Sequence, residues 1–246
     1  VCDAGGRMIS ASHTYRASSK AYLFEITPEA GFLTAGKQSE VAVRLLTLND
    51  TQAAGMGTWE LHSIEPIPAY KPEAQIADAD GAAELARHLR WIKNTHRVPG
   101  GTIDLTADKP SSIKLDSVPA GLYRLTLKAA DPWGGSCETS IFLVSAQQKG
   151  KTDLNLPPVA IAEHSSYKPG DTARFLIGAG ALKGVKYVEI WSGNFLLSRS
   201  MVDEGALSVV EVPVTMAHRG GFAVNWLGAA DGIMYRGQAS TAVPYG

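Results

Sequence analysis

The chain has 246 residues, a formal net charge of −1, 45% hydrophobic residues and 19% charged residues. A charge this close to zero gives no electrostatic reason to expect nucleic acid or an anionic membrane as a partner. No apolar run approaches the roughly 18 residues that a membrane-spanning helix needs. The two cysteines, Cys2 and Cys137, form no metal or redox motif, and a disulfide between them stays open.

One stretch of the sequence occurs twice, and its end occurs a third time. The two full copies read Gly121-Leu-Tyr-Arg-Leu-Thr-Leu-Lys-Ala-Ala-Asp131 and Gly221-Phe-Ala-Val-Asn-Trp-Leu-Gly-Ala-Ala-Asp231. The same ending opens the chain, as Val1-Cys-Asp-Ala-Gly-Gly6. In the first copy apolar residues alternate with polar ones, which is the two-residue period of a half-buried strand.

Each copy leads into residues that favour a tight turn and then into a second strand. Asp bonds its own backbone and Gly accepts positive φ, so residues 131–135 and 231–232 are predicted turns. The repeat unit therefore ends in a β-hairpin, and a repeat of this length indicates whole domains. We predict that Asp3, Asp131 and Asp231 are structural residues rather than catalytic or calcium-binding ones.

The repeat predicts an all-β chain of two complete domains and a leftover hairpin. Residues 1–18 are the terminal hairpin of a preceding domain, residues 19–148 form the first complete domain and residues 149–246 form the second. The polar run at 147–151 has the composition of a domain boundary. Because the sequence begins inside a hairpin, we expect it to be a fragment of a longer protein.

The first domain carries an insertion. Gly36 and Asp131 are 95 positions apart, whereas the matching Gly170 and Asp231 are 61 apart, so the first domain is longer by 95 − 61 = 34 residues. We place the insertion at about 66–101.

The insertion contains the only convincing helix, at 80–93, and the run at 98–101 is expected to end it. Leu85, Leu89 and Ile92 form one apolar stripe along that helix. The helix is either a lid over a sheet edge or a contact surface for a neighbouring domain or a partner.

Strands account for the remainder of both domains. Those of the first domain are predicted at 21–27, 37–48, 58–64, 103–105 and 113–115, before a closing hairpin at 121–146. Those of the second are predicted at 159–163, 186–192, 195–200 and 207–214, before a closing hairpin at 221–243, and residues 167–177 are predicted as a turn that runs into a further strand. This number of short strands with Gly, Pro and Asp turns predicts tandem antiparallel Ig-like β-sandwiches, one of them with a helical insertion.

No set of residues predicts catalysis, cofactor binding or metal binding. The six histidines (His13, His62, His88, His96, His164 and His218) are scattered and are predicted to lie at the surface. The run Gly178-Ala-Gly-Ala-Leu-Lys-Gly184 half-resembles a phosphate loop, but a strand follows it where a helix is needed. We therefore interpret this run as a turn between strands.

Other candidate residues are also interpreted as structural. The carboxylates near strand ends, which could serve a glycosidase only if two faced each other, are Glu25, Glu29, Glu163 and Asp171. The tryptophans predicted to pack in cores or turns, with a sugar-stacking platform as the alternative, are Trp133, Trp191 and Trp226. Asn49-Asp50-Thr51 matches a glycosylation acceptor but reads better as a turn.

Several of these features together resemble a known family. They are the Tyr167-Lys-Pro-Gly-Asp-Thr-Ala173 opening, the strand that starts at Val188, Val212-Pro-Val-Thr215 and the hairpin from Gly221. This combination is similar to the macroglobulin-like domains of the bacterial α2-macroglobulin family. The first domain, with Asp131-Pro-Trp-Gly-Gly135, resembles another module of that family.

The resemblance implies a function for the parent protein and a supporting role for this chain. Family members are large periplasmic protease traps, in which cleavage of an exposed bait region triggers a rearrangement that cages the protease. Many also carry a thioester from a Cys-x-Glu-Gln motif, which Cys137-Glu-Thr-Ser140 does not match. We therefore expect this chain to be a non-enzymatic, cofactor-free scaffold in the periplasm.

Its expected partners are neighbouring domains of the parent chain and, through the parent, target proteases. Nucleic acid and membrane are not expected as partners of this piece. Two other functions stay open: an Ig-like stalk of a bacterial surface adhesin, and an accessory carbohydrate-binding sandwich of a larger enzyme.

Overall fold

A computed structural model describes residues 20–65, 67–72, 76–78, 81–89, 91–131, 133–203 and 205–245, and of residues 81–84 the backbone only. The predicted terminal hairpin at 1–18, with Cys2, Asp3 and His13, lies outside the described residues. Within these ranges no helix has the length and apolar character needed to cross a lipid bilayer.

Within the described residues, the first part of the chain forms ten strands and one helix. They are β1 (Tyr22–Pro28), β2 (Leu33–Thr34), β3 (Ser39–Thr47), β4 (Gln52–Ala53), β5 (Gly55–Ser63), β6 (Ile76–Asp78), α1 (Gly81–Leu89), β7 (Arg97–Leu105), β8 (Ser111–Leu115), β9 (Gly121–Ala130) and β10 (Ser136–Ala146). Sheet I has the order β1-β3-β4, and β8 also pairs with β3. Sheet II has the order β2-β10-β9-β5-β7, and the two sheets form the first sandwich.

The second part of the chain forms another pair of sheets. Its elements are β11 (Lys151–Thr152), β12 (Val159–Ala162), β13 (Thr172–Gly178), β14 (Lys186–Ser192), β15 (Phe195–Val202), β16 (Leu207–Pro213), a 3-10 turn (Met216–His218), β17 (Phe222–Ala230) and β18 (Ile233–Thr241). Sheet III has the order β11-β16-β13-β12, and sheet IV has the order β15-β14-β17-β18-β6. The chain is therefore an all-β protein of tandem antiparallel sandwiches, as predicted.

Each sandwich has its own apolar core. Val41, Val43 and Leu45, which alternate along β3, are buried in the first core with residues of β9 such as Leu125. Phe175 of β13 packs in the second core, where its ring meets that of Phe222 edge-on at 5.6 Å. Two-residue alternation in the sequence thus becomes alternation between core and outer face.

The two sandwiches open with similar turns, each built on a glycine of positive φ. Gly36 adopts φ 78° and donates its N–H to the Val118 carbonyl at 3.1 Å. Gly170 adopts φ 102° and donates to the Val214 carbonyl at 2.8 Å. Both positions need a left-handed backbone, which glycine adopts at no steric cost.

The closing hairpins use two different turn mechanisms. Asp131 Oδ1 accepts backbone N–H groups from Trp133 and Gly135, each at 2.8 Å. Asp231 and Gly232 instead both have positive φ, 52° and 77°, which is the two-residue turn favoured by right-twisted strands. Asp131 therefore holds its turn through side-chain hydrogen bonds, whereas Asp231 occupies a left-handed turn position.

The insertion differs from its prediction in two places. The described helix ends at Leu89, not at 93, and Arg124 Nη2 donates to the carbonyls of Leu89 and Ile92 at 3.2 and 2.9 Å. Strand β7 begins at Arg97, inside the predicted insertion at 66–101. Pro99 is tolerated there because β7 is an edge strand and its register with β5 shifts nearby.

Tyr123 fixes the start of β9. Its hydroxyl donates to the Pro119 carbonyl at 3.0 Å, four residues upstream. A tyrosine bonded back in this way near the start of a late strand is a recurrent feature of Ig-like sandwiches. Burial raises the pKa of Tyr123, and a smaller contribution comes from Glu65. Burial also raises the pKa of Tyr167 and Tyr235.

Substitutions in the two closing turns should have different effects. Asp131→Ala removes the acceptor of two N–H groups and should lower the free energy of unfolding by about 1 kcal/mol. Asp231→Val should also lower it by about 1–2 kcal/mol because a branched side chain is strained at positive φ, whereas Asp231→Gly should cost little. Urea unfolding measures all three, and an Asp231→Gly variant as unstable as Asp231→Val would contradict the turn assignment.

The buried tyrosines predict a loss of stability in alkali. Unfolded tyrosine ionises near pH 10, whereas the raised pKa keeps the folded hydroxyls protonated. Above that pH the unfolded state binds fewer protons, so the free energy of unfolding falls as pH rises.

Tyr123→Phe should cost about 1 kcal/mol at neutral pH through the lost hydrogen bond. It should also make the alkaline decline shallower. The exposed Tyr245→Phe is the control and should leave both quantities unchanged. Urea unfolding between pH 8 and about pH 11 gives the comparison, and an equal slope for Tyr123→Phe and the native protein would contradict the argument.

Candidate functional site: the contact between the two sandwiches

A third apolar cluster joins the two sandwiches. Its members from the first part of the chain are Phe32, Ile64, Ile67, Leu85, Leu89, Leu122, Val144 and Ala146. Its members from the second part are Leu156, Val159, Leu176 and Leu207. All are buried, so outer faces of sheets II and III meet as an apolar contact. Large apolar contacts of this kind restrain the relative motion of domains.

The inserted helix lies inside this contact. Leu85 and Leu89, two members of the predicted stripe, are buried in the cluster, and α1 touches both β10 and β12. The stripe is therefore packed between the first sandwich and the second. Of the two interpretations of the helix, the structure favours a contact surface for a neighbouring domain.

Arg174 is the polar centre of the contact. Its Nη1 donates to Glu163 Oε1 at 2.6 Å and to Thr34 Oγ1 at 2.9 Å, and its Nη2 donates to the Gln148 carbonyl at 3.3 Å. The guanidinium also lies 5.7 Å from the centre of the Phe32 ring. The Arg174 and Glu163 side chains are only 12% and 15% exposed, so the pair is shielded from solvent. One side chain thus bonds the second sandwich, the linker and the first sandwich.

Backbone groups also cross the contact. The Gly31 N–H donates to the Glu163 carbonyl at 2.7 Å. A Cβ atom on Gly31 would lie 2.3 Å from the Ala162 carbonyl oxygen, so only glycine permits this approach. A ring nitrogen of His164 lies 3.3 Å from the Glu29 carbonyl oxygen. The first sandwich is therefore held against the end of β12 by direct backbone contact.

A short strand of the insertion extends the second sandwich. Residues Ile76 to Asp78 form β6, which pairs in parallel with β18, where Ile76 lies opposite Met234. Arg236 of β18 forms an ion pair and hydrogen bonds with Asp78. The hydrogen bond from Arg236 lowers the pKa of Asp78 below its ordinary value. The insertion therefore protects the β18 edge with a strand and fills the contact with a helix.

The remaining candidate residues have structural partners. Glu25 pairs with Arg44 at 3.2 Å, and Asp171 Oδ2 accepts the Lys168 N–H at 2.7 Å within the opening turn. Residues 178–184 form the turn between β13 and β14, as predicted. Cys137 is a buried free thiol in the first core, and burial raises its pKa. Among the described residues, no group of three or more His, Cys, Asp or Glu side chains could hold a metal ion.

Two predictions about single side chains are wrong. His218 was expected at the surface but is buried, because its Nδ1 accepts the Thr215 N–H at 3.0 Å and its ring packs on Phe222 at 4.7 Å. Trp133 was expected to pack, but it is 80% exposed at the tip of the β9–β10 turn. Trp226 does pack as predicted, and its Nε1 donates to the Val159 carbonyl at 2.9 Å.

Sequence reasoning missed Arg174, Gly31 and β6. One signal was available for the first of these, because the run Phe175-Leu-Ile-Gly178 after Arg174 is continuously apolar. Such a run is typical of a strand buried on both faces. In the structure Phe175 and Ile177 face the second core, whereas Leu176 faces the first sandwich.

The Arg174 network predicts a large effect of a single substitution. Arg174→Met leaves Glu163 shielded without its cation and should lower the free energy of unfolding by about 3 kcal/mol. The matched control is Arg44→Met, which breaks an ion pair between side chains that are both 47% exposed and should cost less than about 1 kcal/mol. Urea unfolding measures both variants, and equal losses would contradict a central role for Arg174.

Comparison with known proteins gives distant structural similarities only. No protein-family model matches the sequence, and no curated protein matches it. The chain is similar to Escherichia coli alpha-2-macroglobulin in its native conformation (16% identity, TM-score 0.35) and in its trypsin-activated form (13%, TM-score 0.35). These matches cover 99% and 92% of this chain, which spans 16% and 17% of those chains. Fibronectin(III)-like modules of Clostridium thermocellum CbhA are also similar (10%, TM-score 0.29), over 89% of this chain and 95% of theirs.

Proposed function

We propose that this chain is a rigid, non-enzymatic scaffold within a bacterial α2-macroglobulin-like protease inhibitor of the periplasm. The observation that carries the proposal is the shielded contact between the sandwiches, centred on Arg174 and the apolar cluster. Two sandwiches fixed in this way transmit a displacement of one end of the unit to the other end. A trap that rearranges after bait cleavage needs such stiff parts.

The residues that carry the family resemblance support this proposal through their structural roles. Tyr167 accepts the backbone N–H groups of His164 and Arg174 at its hydroxyl, at 3.1 and 3.3 Å. Gly170 supplies the left-handed turn, and Asp171 caps it. The Tyr-x-Pro-Gly-Asp opening therefore positions β13, the strand that carries Arg174 into the contact. The motif and the contact belong to one mechanical unit.

The proposed role involves no chemistry by the chain itself. Bait cleavage, conformational change and capture of the protease belong to the parent protein, and this unit keeps its other modules at a fixed spacing. Neighbouring modules are its direct partners, and proteases are partners of the parent. We propose no cofactor for this unit.

The trap is tested with the full-length parent protein. Incubation with several proteases should give limited cleavage, with activity retained on small peptide substrates and lost on large protein substrates. Arg174→Met in the parent should leave bait cleavage unchanged but weaken protection of the large substrates, because the scaffold is loosened.

The control is Arg44→Met in the same parent, which should protect as well as the native protein. Unhindered digestion of large substrates by parent-bound protease would refute the trap. Equal protection by both variants would refute the scaffold role of this unit within it.

A further inference from the structure

Trp191 differs from the other two tryptophans that the sequence marks as candidates for a sugar-stacking platform. Trp226 is buried in the second core, and Trp133 lies at the tip of an exposed turn. Trp191 is partly exposed on the outer face of sheet IV, because the register places it opposite Ala223, which alternates with core residues along β17. The register of β14 with β15 shifts between Ile190 and Trp191, and such a shift re-aims a side chain. Of the three rings, that of Trp191 is the one that lies on an accessible sheet face.

Hydrogen bonds hold the Trp191 ring in place. Its Nε1–H donates to Glu189 Oε2 at 2.9 Å, and Glu189 Oε1 accepts from Arg199 Nε at 2.8 Å. The hydrogen bonds from Trp191 and Arg199 lower the pKa of Glu189, so its carboxylate stays ionised and continues to accept both. Among the described residues, no aromatic ring or cation stacks on the indole. A ring that is fixed at its edge and unstacked on its faces loses little conformational entropy when a flat ligand packs on it.

Two shallow hollows lie next to each other on this face. The first, of about 480 Å³, is lined by Tyr187 of β14 and Gln238 of β18 among others. The second, of about 420 Å³, is lined by Trp191 of β14 and Ser240 of β18 among others. Tyr187 and Trp191 are four residues apart on one strand, which separates their Cα atoms by about 13 Å. The hollows together form a groove with an aromatic ring and a polar side chain at each of two positions.

The polar side chains of the groove are available to a ligand. Gln238 and Ser240 are exposed, and within the ranges that the structure describes neither side chain has a hydrogen-bond partner. An amide and a hydroxyl each donate and accept hydrogen bonds. The two arginines of the face, Arg199 and Arg236, already pair with carboxylates. The groove therefore offers mixed donors and acceptors but no unpaired cation for an anionic ligand.

We propose that the groove between Tyr187 and Trp191 binds a neutral oligosaccharide. A pyranose ring presents C–H groups on its faces, which pack on an aromatic ring, and hydroxyls around its edge, which need both donors and acceptors. The groove supplies this combination twice, through Tyr187 with Gln238 and through Trp191 with Ser240. An apolar peptide in the same place would cover the two polar side chains without bonding them, which is costly. This proposal does not depend on the proposed function.

The shape of the groove indicates weak binding of each sugar segment. A shallow hollow covers less of a ligand than the deep pockets that bind small molecules tightly. A polysaccharide presents many identical segments, so its apparent affinity exceeds that of one short oligosaccharide. Polymers are therefore the more sensitive probes of this site.

Affinity electrophoresis of the chain in gels that contain a polysaccharide tests the proposal. The neutral probes are hydroxyethyl cellulose, xylan, galactomannan and laminarin, and carboxymethyl cellulose is the anionic counterpart of the first. At least one neutral polymer should retard the native chain. Trp191→Ala should weaken that binding at least about tenfold through loss of the ring. Gln238→Ala, which removes an exposed side chain without a partner in the described part of the chain, should fold normally and weaken binding about threefold.

The matched control is Trp133→Ala, which removes an 80% exposed indole from the first sandwich and should bind like the native chain. Thermal melts establish that all three variants fold. No retardation by any neutral polymer, retardation by carboxymethyl cellulose alone, or equal binding by Trp191→Ala and Trp133→Ala would each overturn the proposal.

Tryptophan fluorescence locates the site independently. The neutral polymer that retards the native chain should change its emission, and the change should persist in Trp133→Phe. Trp191→Phe keeps an aromatic ring and should still bind, but its emission should no longer respond. A response that survives Trp191→Phe would place the sugar elsewhere and overturn the assignment of the groove.

Discussion

The burial of strand β13 on both faces is the constraint on which the structure depends. Phe175 and Ile177 contribute to the core of the second sandwich, while Leu176 and Arg174 face the first sandwich. The strand that holds sheet III together therefore also forms the contact between the domains. A change in the angle between the sandwiches has to disturb a core strand, which makes the contact stiffer than an ordinary domain linker.

The strands and turns that the sequence predicts are those whose conformation is determined by neighbouring residues in the chain. Alternation of apolar residues located β3 and β9, because each strand has one face in a core and the period of two is preserved. The matching glycines Gly36 and Gly170 both lie in left-handed turns, a conformation that glycine adopts without strain. The internal repeat added information about domain number. A strand and turn that occur twice, at 121–131 and 221–231, indicate two copies of one domain.

The rest depended on contacts between residues far apart in sequence. Strand β6 is three residues long and pairs with β18, more than 150 positions away. A segment this short has no local sequence pattern that predicts a strand. His218 is buried because a 3-10 turn directs its ring toward Phe222, whereas its sequence neighbours are those of a surface loop. Trp133 lies in a turn that the sequence predicts. Whether its side chain is exposed depends on which other parts of the chain pack near that turn, and the local sequence does not indicate this.

The insertion shows how the two kinds of information combine. Its length followed from the repeat, and the apolar stripe of its helix followed from the period of 3.6 residues, but neither indicates which surface the stripe meets. The structure places the helix against β12 and the strand β6 against β18, so one insertion from the first sandwich touches both sheets of the second. Two separated attachment points resist rotation far better than one, because a twist about either point strains the other. The insertion therefore acts as a brace between the two sandwiches.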